Sequence, residues 1–167
     1  SVSPHTTTSS TIFVGTAAGD IYKVTNANGT PTTTNIDVSG TLPGRVISCI
    51  EIGASENELL VTFSNYGTTS VWYTANGGTT WVNKEGNLPD MPVRWALFNP
   101  NNRNEVILAT ELGVYSTADI SLASPSWSAS NSGLANVRVD QLRSRSSDGE
   151  IIAATHGRGL FSGSFAV

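Results

Sequence analysis

Cysteine is almost missing from this chain. Cys49 is the only one in 167 residues, so no intrachain disulfide can form. It sits in the apolar run Arg45-Val46-Ile47-Ser48-Cys49-Ile50, where a small buried hydrophobe is the expected role. A nucleophilic cysteine would need a histidine and an orienting partner, and the sequence places neither beside it. Charge is scarce too, at 13% of residues, with a net charge of −4 that argues against a nucleic-acid partner. Lys23 and Lys84 are the only lysines, and the arginines are scattered rather than clustered. No apolar stretch reaches the length of a membrane span. His5, His156 and Cys49 are too far apart to suggest metal-ligand spacing, and phosphate-loop glycines are missing, so neither metal nor cofactor is expected. No secretory leader is visible. The low lysine content and the Ser/Thr/Asn-rich composition still point to a secreted or cell-surface setting. Asn28-Gly29-Thr30 fits a glycosylation sequon, weakened by Pro31.

What the chain has in abundance is glycine, serine, threonine and asparagine between short apolar runs. That mixture suits many short strands joined by tight turns, and 167 residues suffice for one domain with a real core. The runs repeat. Phe13-Val14-Gly15-Thr16, Leu60-Val61-Thr62-Phe63, Ile107-Leu108-Ala109-Thr110 and Ile152-Ala153-Ala154-Thr155 end at steps of 47, 47 and 45 residues. Leu42, Leu88 and Leu134 recur at steps of 46 and 46, each just before an inner apolar strand, and Trp81 recurs as Trp127. A period in the mid-forties with several strands per unit predicts the blades of a β-propeller. The fold expected is all-β, with three four-stranded repeats and a terminal strand pair. The approximate blades are 11–57, 58–104, 105–149 and a partial 150–165, after a polar loop or frayed terminus over 1–10. Closed propellers have about four to eight blades. The chain is therefore expected to be part of a larger propeller, its ends covered by the remaining blades of a longer chain or by a second copy. Phe13, Tyr22, Trp72, Trp95, Phe98 and Phe161 are candidates for the apolar faces between blades.

The clearest local signal is Thr74-Ala75-Asn76-Gly77-Gly78-Thr79-Thr80-Trp81, entered by the β-run Ser70-Val71-Trp72-Tyr73. An Asn-Gly-Gly turn tolerates positive φ, and the Asn76 side chain can bond turn amides. Thr74, Asn76, Gly78, Thr80 and Trp81 fill the fixed positions of the Asp-box, so this stretch resembles the BNR/Asp-box repeat of β-propellers. Sialidase-like, xyloglucanase-like and sortilin-type propellers carry such repeats. The box is a folding device, with Trp81 expected to be buried between blades. Blade three keeps Ser116-Thr117-Ala118-Asp119 but inserts residues before Trp127, and blade one has Asn26-Ala27-Asn28-Gly29-Thr30 without a tryptophan.

The resemblance implies a ligand-binding face. Strand order would gather Ala17–Asp20, Asn65–Gly67, Glu111–Gly113, His156–Gly159 and the loops of Arg45, Arg94 and Arg138 on it. Three arginines at roughly corresponding positions suit a carboxylate, since a planar guanidinium binds one bidentately. The alternative reading makes them rim residues paired with Asp140, Glu51 or Asp90. Glu111 reads as an acid or a solvated turn residue, and His156 as a ligand contact or a turn histidine bonded to a carbonyl. Arg158 belongs to Thr155-His156-Gly157-Arg158-Gly159-Leu160, which is similar to the closing repeat of secreted BNR proteins. The paired carboxylates of a glycoside hydrolase do not map onto Asp20, Glu111 or Asp140. The function expected is a non-catalytic extracellular binding or scaffold module of a bacterial protein, with a glycan or protein ligand. The alternative is the C-terminal part of a sialidase- or xyloglucanase-like glycoside hydrolase.

Overall fold

Short alternating runs broken by glycine-rich turns can bury their apolar faces only by stacking sheet on sheet, and that is what they do. The computed structural model describes residues 1–4, 10–145 and 147–165. Fourteen strands and no helix appear among them. The first sheet holds β1 (Ile12–Gly15), β2 (Ile21–Thr25) and β3 (Thr32–Asn35). The second holds β4 (Ile47–Ile52), β5 (Leu59–Phe63), β6 (Val71–Thr74) and β7 (Val82–Asn83). The third holds β8 (Val93–Phe98), β9 (Val106–Thr110), β10 (Gly113–Thr117) and β11 (Ser128–Ala129). The fourth holds β12 (Val139–Ser144), β13 (Glu150–Thr155) and β14 (Gly159–Ser164). Every pairing is an antiparallel meander, so each sheet is one propeller blade.

The hydrogen-bonded sheets are phased differently from the sequence repeats 11–57, 58–104 and 105–149. Each inner strand (β4, β8, β12) pairs with the strand after it, so a sheet begins near 47, 93 or 139. Residues 1–4 also depart from the loop expected over 1–10. Val2 bridges Ile12, Phe13 N–H donates to Ser1 O, and Ser3 N–H donates to Thr11 O at 2.8 Å. The last of these bonds has counterparts in the other sheets: Gly53 to Glu58, Asn99 to Glu105 and Arg145 to Glu150, at 2.8–2.9 Å. Residues 1–3 thus stand where an inner strand ends. His5 to Ser9 of that expected loop lie outside the described residues.

Three apolar layers fill the spaces between sheets. Phe13, Ile21 and Ile36 meet Leu59, Val61, Phe63 and Trp81 between the first two. Leu60 and Val71 meet Ala96, Phe98, Leu108 and Trp127 between the next two. Leu97, Ile107 and Val114 meet Leu142, Ile151 and Ala153 between the last two. Strands β5 and β9 are buried throughout because both faces are covered. Among the described residues, the end sheets are covered on one face only. Leu160 is 72% exposed, whereas its counterparts Ile21, Val71 and Val114 are at 0–9%.

Candidate functional site

The hairpin at 74–81 closes as its residues dictate. Thr74 Oγ1 accepts from Gly78 N–H at 3.0 Å and from Asn76 N–H at 3.3 Å. Asn76 Oδ1 accepts from Thr80 N–H, and Asn76 Nδ2 donates to Thr80 Oγ1, both at 2.9 Å. Gly78 has φ +90°, and a Cβ there would strike the Ile36 carbonyl. The turn delivers Trp81 into the first interblade layer, 6% exposed, where its indole N–H donates to Ile36 O at 3.0 Å. Trp127 repeats the arrangement one blade on, donating to Lys84 O at 3.0 Å despite the degraded turn before it. Thr117 and Asp119 still cap that turn: Thr117 Oγ1 accepts from Asp119 N–H and Asp119 Oδ1 from Ser121 N–H.

Chemistry gathers at the opposite end of the blades. Each complete inner strand there carries one extra residue in its ladder, between Ile47 and Cys49, Val93 and Trp95, and Val139 and Gln141. The bulged residues are Ser48, Arg94 and Asp140, and such bulges re-aim side chains at barrel rims and near sites. Ser48 turns inward, its hydroxyl donating to Val93 O at 2.6 Å. Arg94 reaches Glu111, with Nη2 donating to Oε2 at 2.6 Å and Nε at 3.2 Å. Its Nε also lies 3.9 Å from Asp140 Oδ1. Asp140 in turn accepts from Arg138 Nε at 2.6 Å and lies 3.6 Å from His156 Nδ1. The His156 amide donates to Arg138 O at 2.9 Å, and the Glu111 amide to Pro92 O at 3.1 Å, which anchors both turns to the rim.

Of the residues singled out from sequence, Arg94, Glu111, Arg138 and His156 come together. Arg45 and Arg158 do not join them. Arg45 is exposed in the bend before β4. Arg158 Nη1 approaches Leu134 O at 3.5 Å. The three arginines are not equivalent positions, because the residues that share a register are Ser48, Arg94 and Asp140. That equivalence has a sequence signal: each lies six residues after Leu42, Leu88 or Leu134. Two acids and two guanidiniums alternate at this rim, so each arginine already has a carboxylate partner. Neutral hydroxyls, which both accept and donate, match such an array better than an anion does.

A second polar cluster was missed by sequence reasoning. A cavity of about 540 Å³ is lined by Ser1, Val2, Pro4, Glu51, Ile52, Trp95 and Arg143, residues of all four inner-strand positions. Burial pushes the Glu51 carboxyl up to about 7, opposed by a hydrogen bond to the Phe98 backbone. Arg143 stacks over the Trp95 ring at 4.8 Å. Burial likewise raises the Cys49 thiol to about 12, so it is an inert packing group. A lone Glu inside an apolar strand offered no periodic cue to any of this.

No family model matches the sequence, and no curated protein matches it. Solved structures do. A GH74 enzyme of Niastella koreensis aligns with 95% of this chain and 27% of its own length, at 20% identity and a TM-score of 0.57. The GH74 xyloglucanase of Xanthomonas campestris aligns with 92% of the chain and 27% of its own, at 14% identity and TM-score 0.61. The β-propeller domain of Cps50 (Swd1) from Myceliophteria thermophila aligns with 93% of the chain and 49% of its own, at 13% identity and TM-score 0.66. The chain thus spans between about a quarter and a half of the structures it resembles, and at these identities the likeness concerns fold alone. That fold is a set of β-propeller blades.

Proposed function

We propose that this chain is a non-catalytic binding or scaffold part of a larger, secreted or cell-surface β-propeller, built on Asp-box hairpins. Its ligand is a hydroxyl-rich glycan or a polar protein surface, taken at the rim of Arg94, Glu111, Arg138, Asp140 and His156. The observation that carries this reading is the Arg94 bulge, which holds a guanidinium between two carboxylates at the end where the blade-connecting turns converge. Compensated charge disfavours the anionic ligand that three free arginines would suit. A glycan array probed with the chain, and repeated with Arg94→Ala and Asp140→Asn, tests it. Binding of neutral glycans that both variants lose is the expected result; undiminished binding by both would remove this rim from consideration.

A second reading has an observation of its own, the likeness to two GH74 enzyme folds. On it, the chain is one part of a glycoside hydrolase whose acids include Glu111 or lie on other blades. Turnover of xyloglucan or an aryl β-glucoside by the longest natural chain, abolished by Glu111→Gln, would establish it. The exposed faces of the first and fourth sheets support a longer ring on either reading.

A further inference from the structure

One turn at the rim is longer than its counterparts in the other blades. Six residues, 64–69, separate the paired Phe63 and Ser70, whereas two or three separate Thr16 from Asp20, Thr110 from Gly113 and Thr155 from Gly159. The longer turn is pinned on both sides of its tip. Asn65 Oδ1 accepts from Val46 N–H at 3.1 Å, and Gly67 N–H donates to Asp90 Oδ1 at 2.7 Å. Ser70 Oγ donates to Met91 O, and the Trp72 indole N–H to Thr69 O, both at 3.1 Å. Between the two pins stands Tyr66, which is 63% exposed and joins none of the three interblade layers. A ring left in water on a fixed loop gains nothing from burial, and it offers a ligand contact area that needs little ordering.

A single segment ties this turn to the charged array. Asp90 and Met91 hold the turn, Pro92 O accepts from Glu111 N–H, and Arg94 bonds the Glu111 carboxylate. Asp90 and Arg94 are four chain steps apart, a span of about 14 Å at most. Two further exposed apolar residues belong to the same face. Val46, whose backbone bonds the turn, is 41% exposed, and Leu112, next to Glu111, is 43% exposed. We propose that Tyr66 is the stacking subsite of the rim, taking one ring of a neutral gluco-configured oligosaccharide while Arg94 and Glu111 bond hydroxyls of a neighbouring ring. This assignment rests on the reading of the rim as a glycan-binding site. The match is chemical. A pyranose whose hydroxyls are all equatorial is apolar on its faces, where only C–H groups project, and polar around its edge. Tyr66 meets the face, and the paired charges meet the edge. An acidic sugar would instead have to draw Arg94 away from Glu111. The span between the two contacts calls for more than one ring, so a monosaccharide fills only part of the site.

Cellotetraose and maltotetraose are the probes, with glucose as the single-ring comparison, each titrated against the chain and followed by NMR. A tetrasaccharide that binds should show ring C–H resonances moved upfield by an aromatic ring current, and glucose should bind about tenfold more weakly. Tyr66→Phe should keep both the binding and the upfield shift. Tyr66→Ala should lose the shift and weaken binding about tenfold, as truncating an aromatic anchor does. Its thermal midpoint should not move, because the ring packs in no interblade layer. Arg94→Ala, measured in parallel, separates the subsite from the rim it serves. Binding weakened by Arg94→Ala but not by Tyr66→Ala overturns the stacking subsite and leaves the rim standing. Binding weakened by Tyr66→Ala alone overturns the joint site, because the ring would then act without the rim. Binding weakened by neither variant, or no binding of either tetrasaccharide at millimolar concentration, overturns both. Tyr66→Phe binding as poorly as Tyr66→Ala would also refute stacking, since the hydroxyl and not the ring would then carry the contact.

Discussion

Replacing Trp81 by alanine probes the layer that joins the first two blades. A tryptophan buries about 150–250 Å², and at about 25 cal/mol per Å² that is about 4–6 kcal/mol of transfer free energy. Alanine retains a little of it, and an incompletely collapsed cavity adds a penalty, which together place buried aromatic truncations at about 3–5 kcal/mol. Trp81 is as buried as such sites require, and its indole N–H also satisfies Ile36 O. Losing that donor leaves a carbonyl to be hydrated or stranded, which keeps the expectation in the upper part of the range. Urea unfolding followed by circular dichroism measures it, with Val82→Ala as the control because Val82 lies half in solvent beside it. The control should change stability by no more than about 0.5 kcal/mol. A Trp81→Ala cost below about 1 kcal/mol would mean that the hairpin does not anchor the blades.

Gly78→Ala should cost about 2 kcal/mol in the same assay, because the residue holds a positive φ and its Cβ would meet Ile36 O. Glu51 titrates higher folded, at about 7, than its ordinary 4.5, so the native state binds the extra proton between those values. Stability should therefore fall as pH rises from about 4.5 to about 7, and Glu51→Gln should flatten that fall and gain about 1–2 kcal/mol at pH 8; an unchanged profile would disprove it. Arg94→Ala should cost less than about 1 kcal/mol, shrinking with added salt, since the pair with Glu111 is partly exposed. By light scattering the isolated chain should self-associate through its open end faces, and Leu160→Lys should reduce the apparent mass; a clean monomer at high concentration would contradict the blade count.

The fold was legible because a propeller repeats its constraints. Any blade alone is ambiguous, but Leu42, Leu88 and Leu134, or Trp81 and Trp127, mark one position several times over. The all-β class and the strand count came from that redundancy, and the buried Trp81 from the resemblance of its hairpin to the Asp-box. The phase of the sheets did not. Hydropathy shows that an apolar strand exists near 47–52, yet not whether it pairs backward or forward. That choice rests on the tight turn at 53–58, where Gly53 N–H meets Glu58 O. Residues 1–3 were illegible for a similar reason. Ser-Val-Ser carries no strand signal, and it is held by backbone bonds to Thr11 and β1 together with side-chain bonds from Ser1 to Ile50 O and from Ser3 to Glu56.

The rim was harder to read because its side chains are set by register and not by residue type. Grouping Arg45, Arg94 and Arg138 followed chemistry, whereas the ladder groups Ser48, Arg94 and Asp140, three residues with nothing chemical in common. A bulge imposes geometry on whatever side chain occupies it. The core period is enforced by packing, since each interblade layer needs the same shapes, but the bulged position faces the rim and escapes that demand. Its side chains are therefore free to differ from blade to blade, and at Arg94 and Asp140 the difference has produced opposite charges on adjacent blades. Residues from two neighbouring sheets, Glu111 on one and His156 on the other, then complete the array. The repeat builds the same aiming device in each of the three blades with a complete inner strand, and specificity arises where the repeat is broken.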